Sequence, residues 1–126
     1  MPNPFIHVEL QTQEPATAKA FYANLFDWRF QDVPGMDYTM IATGGDPGAG
    51  LMRAKIPGAP ARWIPFIFVD DVKVFTSKAQ SLGAEVVKGP AEARGYGWYS
   101  VLADPTGATF GIWTPEGARR EAVDVR

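Results

Sequence analysis

The sequence predicts an α+β fold, two tandem βαβββ modules forming a curved, mixed β-sheet cup with helices outside. Three observations carry this reading. An alternating strand, an amphipathic helix and three short strands follow one another twice along the chain. Matched landmarks recur at nearly one interval: Asp46-Pro47 and Asp104-Pro105 stand 58 positions apart, and the helix-entry acids Glu14 and Asp71 stand 57 apart. Such agreement marks a duplication. Residues 56–62, with two Pro and one Gly, form a natural linker between the halves. A single domain over 1–126 is expected, with module one at about 4–55, module two at 63–115 and a charged tail over 116–126.

In module one, residues 5–10 alternate with the period of a half-buried strand. Ile6, Val8 and Leu10 share one wholly apolar face, which belongs under a helix; Phe5, His7 and Glu9 share the other, which then looks into the cup. Pro15 suits the first turn of the following helix, where its missing N–H costs nothing. Ala18, Phe21, Tyr22 and Leu25 form the helical stripe, and Asp27 is expected to end it in a left-handed conformation. Strands are expected over 28–33, 38–42 and 49–54, separated by the turns at Pro34-Gly35 and Gly44 to Gly48.

Module two repeats the order. Residues 63–69 read as a strand, and Asp70 or Asp71 as the helix N-cap. Val72, Phe75, Ala79 and Leu82 form the next stripe, which Gly83 closes. Strands near 85–88, 98–103 and 108–114 complete the unit. A lone βαβββ unit leaves one sheet face open, so packing two together closes the core.

Composition removes several classes of function. Without cysteine there are no disulfides, thiolate metal sites or cysteine nucleophiles. A net charge of −2 gives no support for nucleic-acid or anionic-membrane binding. No apolar run approaches the roughly 20 residues of a membrane-spanning helix. The first residues show no basic segment followed by an apolar run, so a cytoplasmic protein is expected. Aromatic residues reach 13%, which suits either core packing or an aromatic-lined ligand site.

Three stretches carry a family resemblance. Ala-Lys-Ala-Phe-Tyr-Ala-Asn-Leu-Phe-Asp-Trp over 18–28 resembles the first-helix signature of the glyoxalase/bleomycin-resistance/dioxygenase group, the vicinal oxygen chelate superfamily. Asp27 stands where that signature commonly has glycine. Phe-Val-Asp-Asp-Val over 68–72 resembles its second helix entry, and Ala-Asp-Pro-Thr-Gly-Ala-Thr-Phe-Gly-Ile-Trp over 103–113 its final turn and strand.

The resemblance implies a metal site at the cup floor, ligated by His, Glu or Gln from the first and last strand of each module. His7 matches the first-strand position of module one and is the only histidine in the chain. Its counterpart in module two is Ile64; the last-strand positions fall on Gly111 and on Gly50 or Met52. Too few donors converge for an intrachain site, so no metal is expected, with Glu9 two residues on as the one nearby oxygen donor. A divalent metal at His7 with donors from a second chain is the alternative.

Strand parity nominates the binding residues. His7 and Glu9 are the candidates for catalysis or recognition, the imidazole expected to titrate near neutrality and Glu9 to orient it, act as a base or pair with Arg53. Ile64, Phe66 and Phe68 on one strand and Thr109 and Trp113 on another are expected to line the same cavity, with Gly111 leaving room between them. The segment Arg94-Gly95-Tyr96-Gly97-Trp98-Tyr99 reads as a mobile lid carrying Arg94 and Trp98, or as a plain strand connection. Asp104, in Asp-Pro-Thr-Gly, reads as turn chemistry. The leading function is a metal-free binder of a small apolar or aromatic molecule, resembling drug-sequestering members, and a homodimer. The alternatives are a metal-dependent lyase, isomerase or dioxygenase using His7, and a non-catalytic interaction module.

Overall fold

The computed structural model describes residues 2–117, so most of the expected charged tail lies outside the described residues. The chain divides into two compact units. One is Ile6–Pro65; the other joins the segment before Ile6 to the chain from Phe66 onward. The division falls inside a strand, just after the expected linker.

The first unit holds β1 (Phe5–Thr12), α1 (Pro15–Leu25), β2 (Arg29–Asp32), β3 (Thr39–Ala42) and β4 (Gly48–Arg53). Its strands run in the order β2-β3-β4-β1. β4 lies antiparallel to β3 and parallel to β1, with Leu10 opposite Leu51 and Glu9 opposite Gly50. One face buries Leu10, Ile41, Ala49 and Leu51, against which Ala18 and Tyr22 of α1, Trp28 and Phe30 pack. Thus β1 keeps its expected polarity, with Leu10 on the helix side. Phe5 departs from it: at the strand end its ring is exposed.

α1 begins as read, with Pro15 at its first position. Glu14 makes no side-chain cap; instead the Thr12 hydroxyl accepts from the Glu14 N–H at 3.1 Å. Two expectations for this helix fail. Only Ala18 and Tyr22 of the stripe pack inward, while Phe21 and Leu25 are more than half exposed. The helix ends through extended backbone at Phe26, and no non-glycine residue takes a positive φ, so Asp27 is not a left-handed cap.

The second unit holds the last three residues of β5 (Arg62–Phe68), then α2 (Val72–Ser81), β6 (Glu85–Ala93), β7 (Gly97–Ala103) and β8 (Thr109–Pro115). Its order, β5-β8-β7-β6, repeats that of the first unit, with β8 parallel to β5 and antiparallel to β7. The βαβββ order is therefore present twice. Val69, Val72, Leu102 and Ile112 form its core, with Phe75 and Ala79 of α2 packed on them. The Asp71 carboxylate accepts from the N–H groups of Lys73 and Val74, a true N-cap, and Gly83 takes φ +102 after the helix. Leu82 leaves the stripe and is exposed at the C-cap.

Asp104 does what turn chemistry requires. Its Oδ1 accepts from the Thr106 N–H and hydroxyl and from the Ala108 N–H, at 2.6–3.0 Å. Those bonds hold its carboxyl below the usual range. Upstream of β1, Pro4 and Asn3 are tied to β5: the Phe68 N–H donates to the Pro4 carbonyl and the Asn3 amide to the Phe68 carbonyl, both at 2.8 Å. No helix among the described residues is long and apolar enough to cross a membrane.

Candidate functional site

On the first unit, strand alternation turns His7, Glu9 and Gln11 away from the Leu10 core. His7 and Glu9 are nevertheless buried, at 8% and 7% exposure. A group buried there needs partners. Gln11 supplies one, donating from Nε2 to the Glu9 carboxylate at 2.7 Å. Tyr38, just before β3, supplies another, its hydroxyl standing 2.7 Å from His7 Nε2. Which of those two atoms donates depends on the imidazole tautomer. The Arg53 guanidinium donates instead to the Gln13 carbonyl at 2.7 Å.

Gly50 explains how Tyr38 reaches His7. It faces Glu9 on one side and Met40 on the other, and a Cβ built there collides with the Tyr38 hydroxyl and ring. The phenol therefore lies over bare backbone. The pairing also decides between the two last-strand candidates. Gly50 sits opposite Glu9 as Gly111 sits opposite Phe66, so Gly50, not Met52, is the counterpart of Gly111.

Burial lowers the His7 pKa from 6.5 to about 4. Desolvation disfavours the imidazolium, so at neutral pH the ring is neutral. That corrects the expectation of titration near neutrality. A neutral imidazole, a phenol and a carboxylate held by an amide can donate and accept hydrogen bonds to a carbonyl or hydroxyl of a ligand.

On the second unit, β5, β8 and β7 bring together Phe66, Phe68, Gly111, Trp113 and Tyr99. Phe66 pairs with Gly111, Phe68 with Trp113, and Tyr99 with Trp113. Thr109 occupies the same face two positions before Gly111 and is half-buried. Phe66 is buried at 4% and meets Tyr99 edge-on, with ring centroids 6.5 Å apart. The Lys88 ammonium lies 5.5 Å from the Tyr99 ring centre. Gly111 does not leave open room: a Cβ there collides with the Phe66 ring, which fills the space the glycine concedes. Each last-strand glycine is thus covered by an aromatic ring, Gly50 by Tyr38 and Gly111 by Phe66.

Ile64, in the first unit, is fully buried. Arg94 and Trp98 are placed differently from the lid reading. β6 and β7 form a hairpin in which Ala93 pairs with Gly97, leaving only Arg94-Gly95-Tyr96 at its tip, and the Tyr96 N–H donates to the Ala93 carbonyl. The segment is the plain strand connection. Trp98 shares its strand face with Ser100 and Leu102, which face α2: the Ser100 hydroxyl meets Thr76 at 2.8 Å and Leu102 lies in the α2 core. The Lys73 ammonium caps the Trp98 ring at 4.4 Å. Tyr99, its neighbour, is the aromatic on the Phe66 side. Alternation from Val101 within the expected 98–103 strand is the sequence signal that names Tyr99.

The family resemblance raises the question of a metal, and the residues do not fit one. His7 Nε2 is engaged by Tyr38, the two last-strand positions are glycines covered by rings, and the module-two counterpart of His7 is buried isoleucine. Among the described residues no three His, Cys, Asp or Glu side chains converge.

The glyoxalase-like domain model matches residues 7–113. The chain belongs to that family. The protein named "Putative glyoxylase CFP32" of Mycobacterium tuberculosis is 33% identical over 110 residues, covering 85% of this chain and 42% of its own. The anthracycline biosynthesis protein DnrV of Streptomyces peucetius is 30% identical over 122 residues, covering 83% and 44%. The chain thus spans less than half the length of these relatives. Methylmalonyl-CoA epimerase from Mycobacterium tuberculosis shares the fold at TM-score 0.63 and 14% identity, over 94% of this chain and 91% of that one. So does homoprotocatechuate 2,3-dioxygenase from Brevibacterium fuscum, at 0.64 and 16%, over 88% and 36%. The glyoxalase-like domain here is therefore of the vicinal oxygen chelate fold, α+β, with two βαβββ modules.

Proposed function

We propose that this glyoxalase-like domain binds a small aromatic or apolar molecule without a protein-ligated metal, and that the His7–Tyr38 pair is its polar anchor. The observation that carries the reading is the Tyr38 hydroxyl, 2.7 Å from His7 and lying over Gly50. It commits the one histidine to a hydrogen-bonded pair where the family resemblance implies a metal ligand. Such a pair suits a carbonyl or hydroxyl oxygen on a planar ring system, orienting it while apolar surface supplies most of the affinity. A relative named for anthracycline biosynthesis supports the choice of an aromatic ligand.

The test uses protein prepared without chelator and an anthraquinone as probe, followed by tryptophan fluorescence. Saturable quenching is expected, with Tyr38→Phe weakening it about tenfold, the worth of roughly 1.4 kcal/mol of hydrogen bonding. Trp98→Ala is expected to leave affinity unchanged, because Trp98 lies on the α2 side under the Lys73 ammonium. Affinity indifferent to Tyr38, or one divalent metal per chain that is lost on His7→Ala, overturns the reading in favour of a metal-dependent enzyme.

A further inference from the structure

One charged group stands beside the His7–Tyr38 pair and is not part of it. Among the described residues, Glu9 is the only Asp, Glu, Lys or Arg that is buried. A carboxylate withdrawn from water loses solvation that hydrogen-bond donors must replace, so it stays buried only where donors reach it. Gln11 is one such donor, with Nε2 2.7 Å from Glu9 Oε2. A carboxylate has two oxygens and accepts from several donors at once.

The register of β1 and β4 fixes where Glu9 stands relative to the anchor. Gly50 is the partner of Glu9 across the two strands, and the Tyr38 hydroxyl occupies the place that a Cβ of Gly50 would take. The phenol oxygen therefore sits one strand spacing, roughly 5 Å, from the root of the Glu9 side chain. His7 lies two residues back on the same strand face, its Nε2 2.7 Å from that oxygen. A phenol–imidazole pair and a carboxylate thus border one spot above Gly50. A single ligand can bridge them, turning an oxygen acceptor toward Tyr38 and an O–H donor toward Glu9.

The charge on this face is one-sided. β1, β3 and β4 place no lysine or arginine on it. Arg29 is on the same side by parity, but it is exposed on the edge strand β2, three strands from β1 and roughly 14 Å away. With its pKa lowered to about 4, His7 adds no positive charge at neutral pH.

We infer that Glu9 sets the specificity of this site: it selects a neutral, planar ligand carrying a hydroxyl donor near its carbonyl, and it turns away ligands that carry a carboxylate there. This rests on the reading of His7 and Tyr38 as the anchor. A hydroxyl that donates to a carboxylate makes a charge-assisted bond, about twice as strong as a neutral one. An ether at the same position has no proton to give. An acid brings a second negative charge into a buried region, where like charges repel more strongly than in water.

Four anthraquinones that differ at one ring position test the assignment: unsubstituted, 2-hydroxy, 2-methoxy and 2-carboxylate. Each is titrated by tryptophan fluorescence at pH 6, where the ligand hydroxyl keeps its proton. The hydroxy compound is expected to bind about tenfold more tightly than the methoxy one, and the carboxylate at least about tenfold more weakly than the unsubstituted quinone. Glu9→Gln keeps the shape and removes the charge, and it is expected to bring both ratios to within about threefold of one. Ratios taken within one variant are insensitive to partial unfolding, because every ligand then loses the same fraction of sites. If Glu9→Gln does not fold at all, the wild-type ratios decide alone. A wild type that binds the hydroxy and methoxy compounds equally, or the carboxylate as well as the unsubstituted quinone, overturns the inference. So does wild-type discrimination that persists in Glu9→Gln. Failure of the anchor looks different: the unsubstituted quinone then does not bind, or binds without regard to Tyr38→Phe, and the role of Glu9 falls with it.

Discussion

Gly50→Ala is a small change with a consequence that can be worked from the geometry. The backbone at Gly50 takes no positive φ, so alanine is not excluded by conformation, and in a strand it would ordinarily gain several tenths of a kcal/mol over glycine. Here the added methyl must displace the Tyr38 hydroxyl and ring. Moving Tyr38 breaks its 2.7 Å contact with the buried His7. Breaking a buried hydrogen bond by displacing one partner costs about 1–3 kcal/mol. The expected destabilisation is therefore about 2 kcal/mol. Urea denaturation at pH 7 measures it, as a lower midpoint at unchanged m-value. Tyr38→Ala supplies the control: in that background the methyl meets no ring, so Gly50→Ala should be neutral or slightly stabilising. The coupling between the two positions should then be about 2 kcal/mol, well beyond the few tenths shown by independent sites. Equal effects of Gly50→Ala in both backgrounds would refute the claim that this glycine exists to admit the phenol.

Two further outcomes follow from named groups. Because His7 folds with its pKa lowered to about 4 from 6.5, the unfolded chain binds the extra proton first. Its contribution is harmless above about pH 6.5 and destabilising as pH falls toward 4, by up to roughly 3 kcal/mol. His7→Asn should flatten that part of the stability profile, and NMR of the single histidine should give a titration near 4; a midpoint near 6.5 would contradict the buried placement. At the helix entries, Asp71→Ala should cost about 1 kcal/mol by thermal melt, because its carboxylate caps two N–H groups, while Glu14→Ala should cost little, because Glu14 caps none with its side chain. Equal losses would show that the two modules begin their helices by the same device.

Much of this architecture was readable before any coordinates. Periodicity is a local property, so the strand–helix–strand order, the face polarity of β1, the Asp71 cap, Gly83 and the Asp104 turn could all be named from neighbours in the chain. Duplication was equally legible, since matched landmarks need only counting. The site itself was legible in its strands and not in its contacts.

What tertiary structure decided depends on residues far apart in sequence. Tyr38 lies 31 positions from His7, and no local pattern says that its ring crosses Gly50 to reach it. Glycine at 111 looked like vacant space because a sequence shows the missing side chain but not the Phe66 ring that takes its place. The His7 pKa likewise follows from burial, which parity assigns to a face and only packing quantifies. Trp98 reads from sequence as part of a lid, whereas the pairing of Ala93 with Gly97 puts it in a strand, on the α2 side. Phe21 and Leu25 fit the helical stripe by spacing, yet of that stripe Ala18 and Tyr22 pack on the core while Phe21 and Leu25 are more than half exposed. The period of a helix identifies an apolar face; how much of that face is covered is set by the angle at which the helix is packed, which is a property of the whole unit.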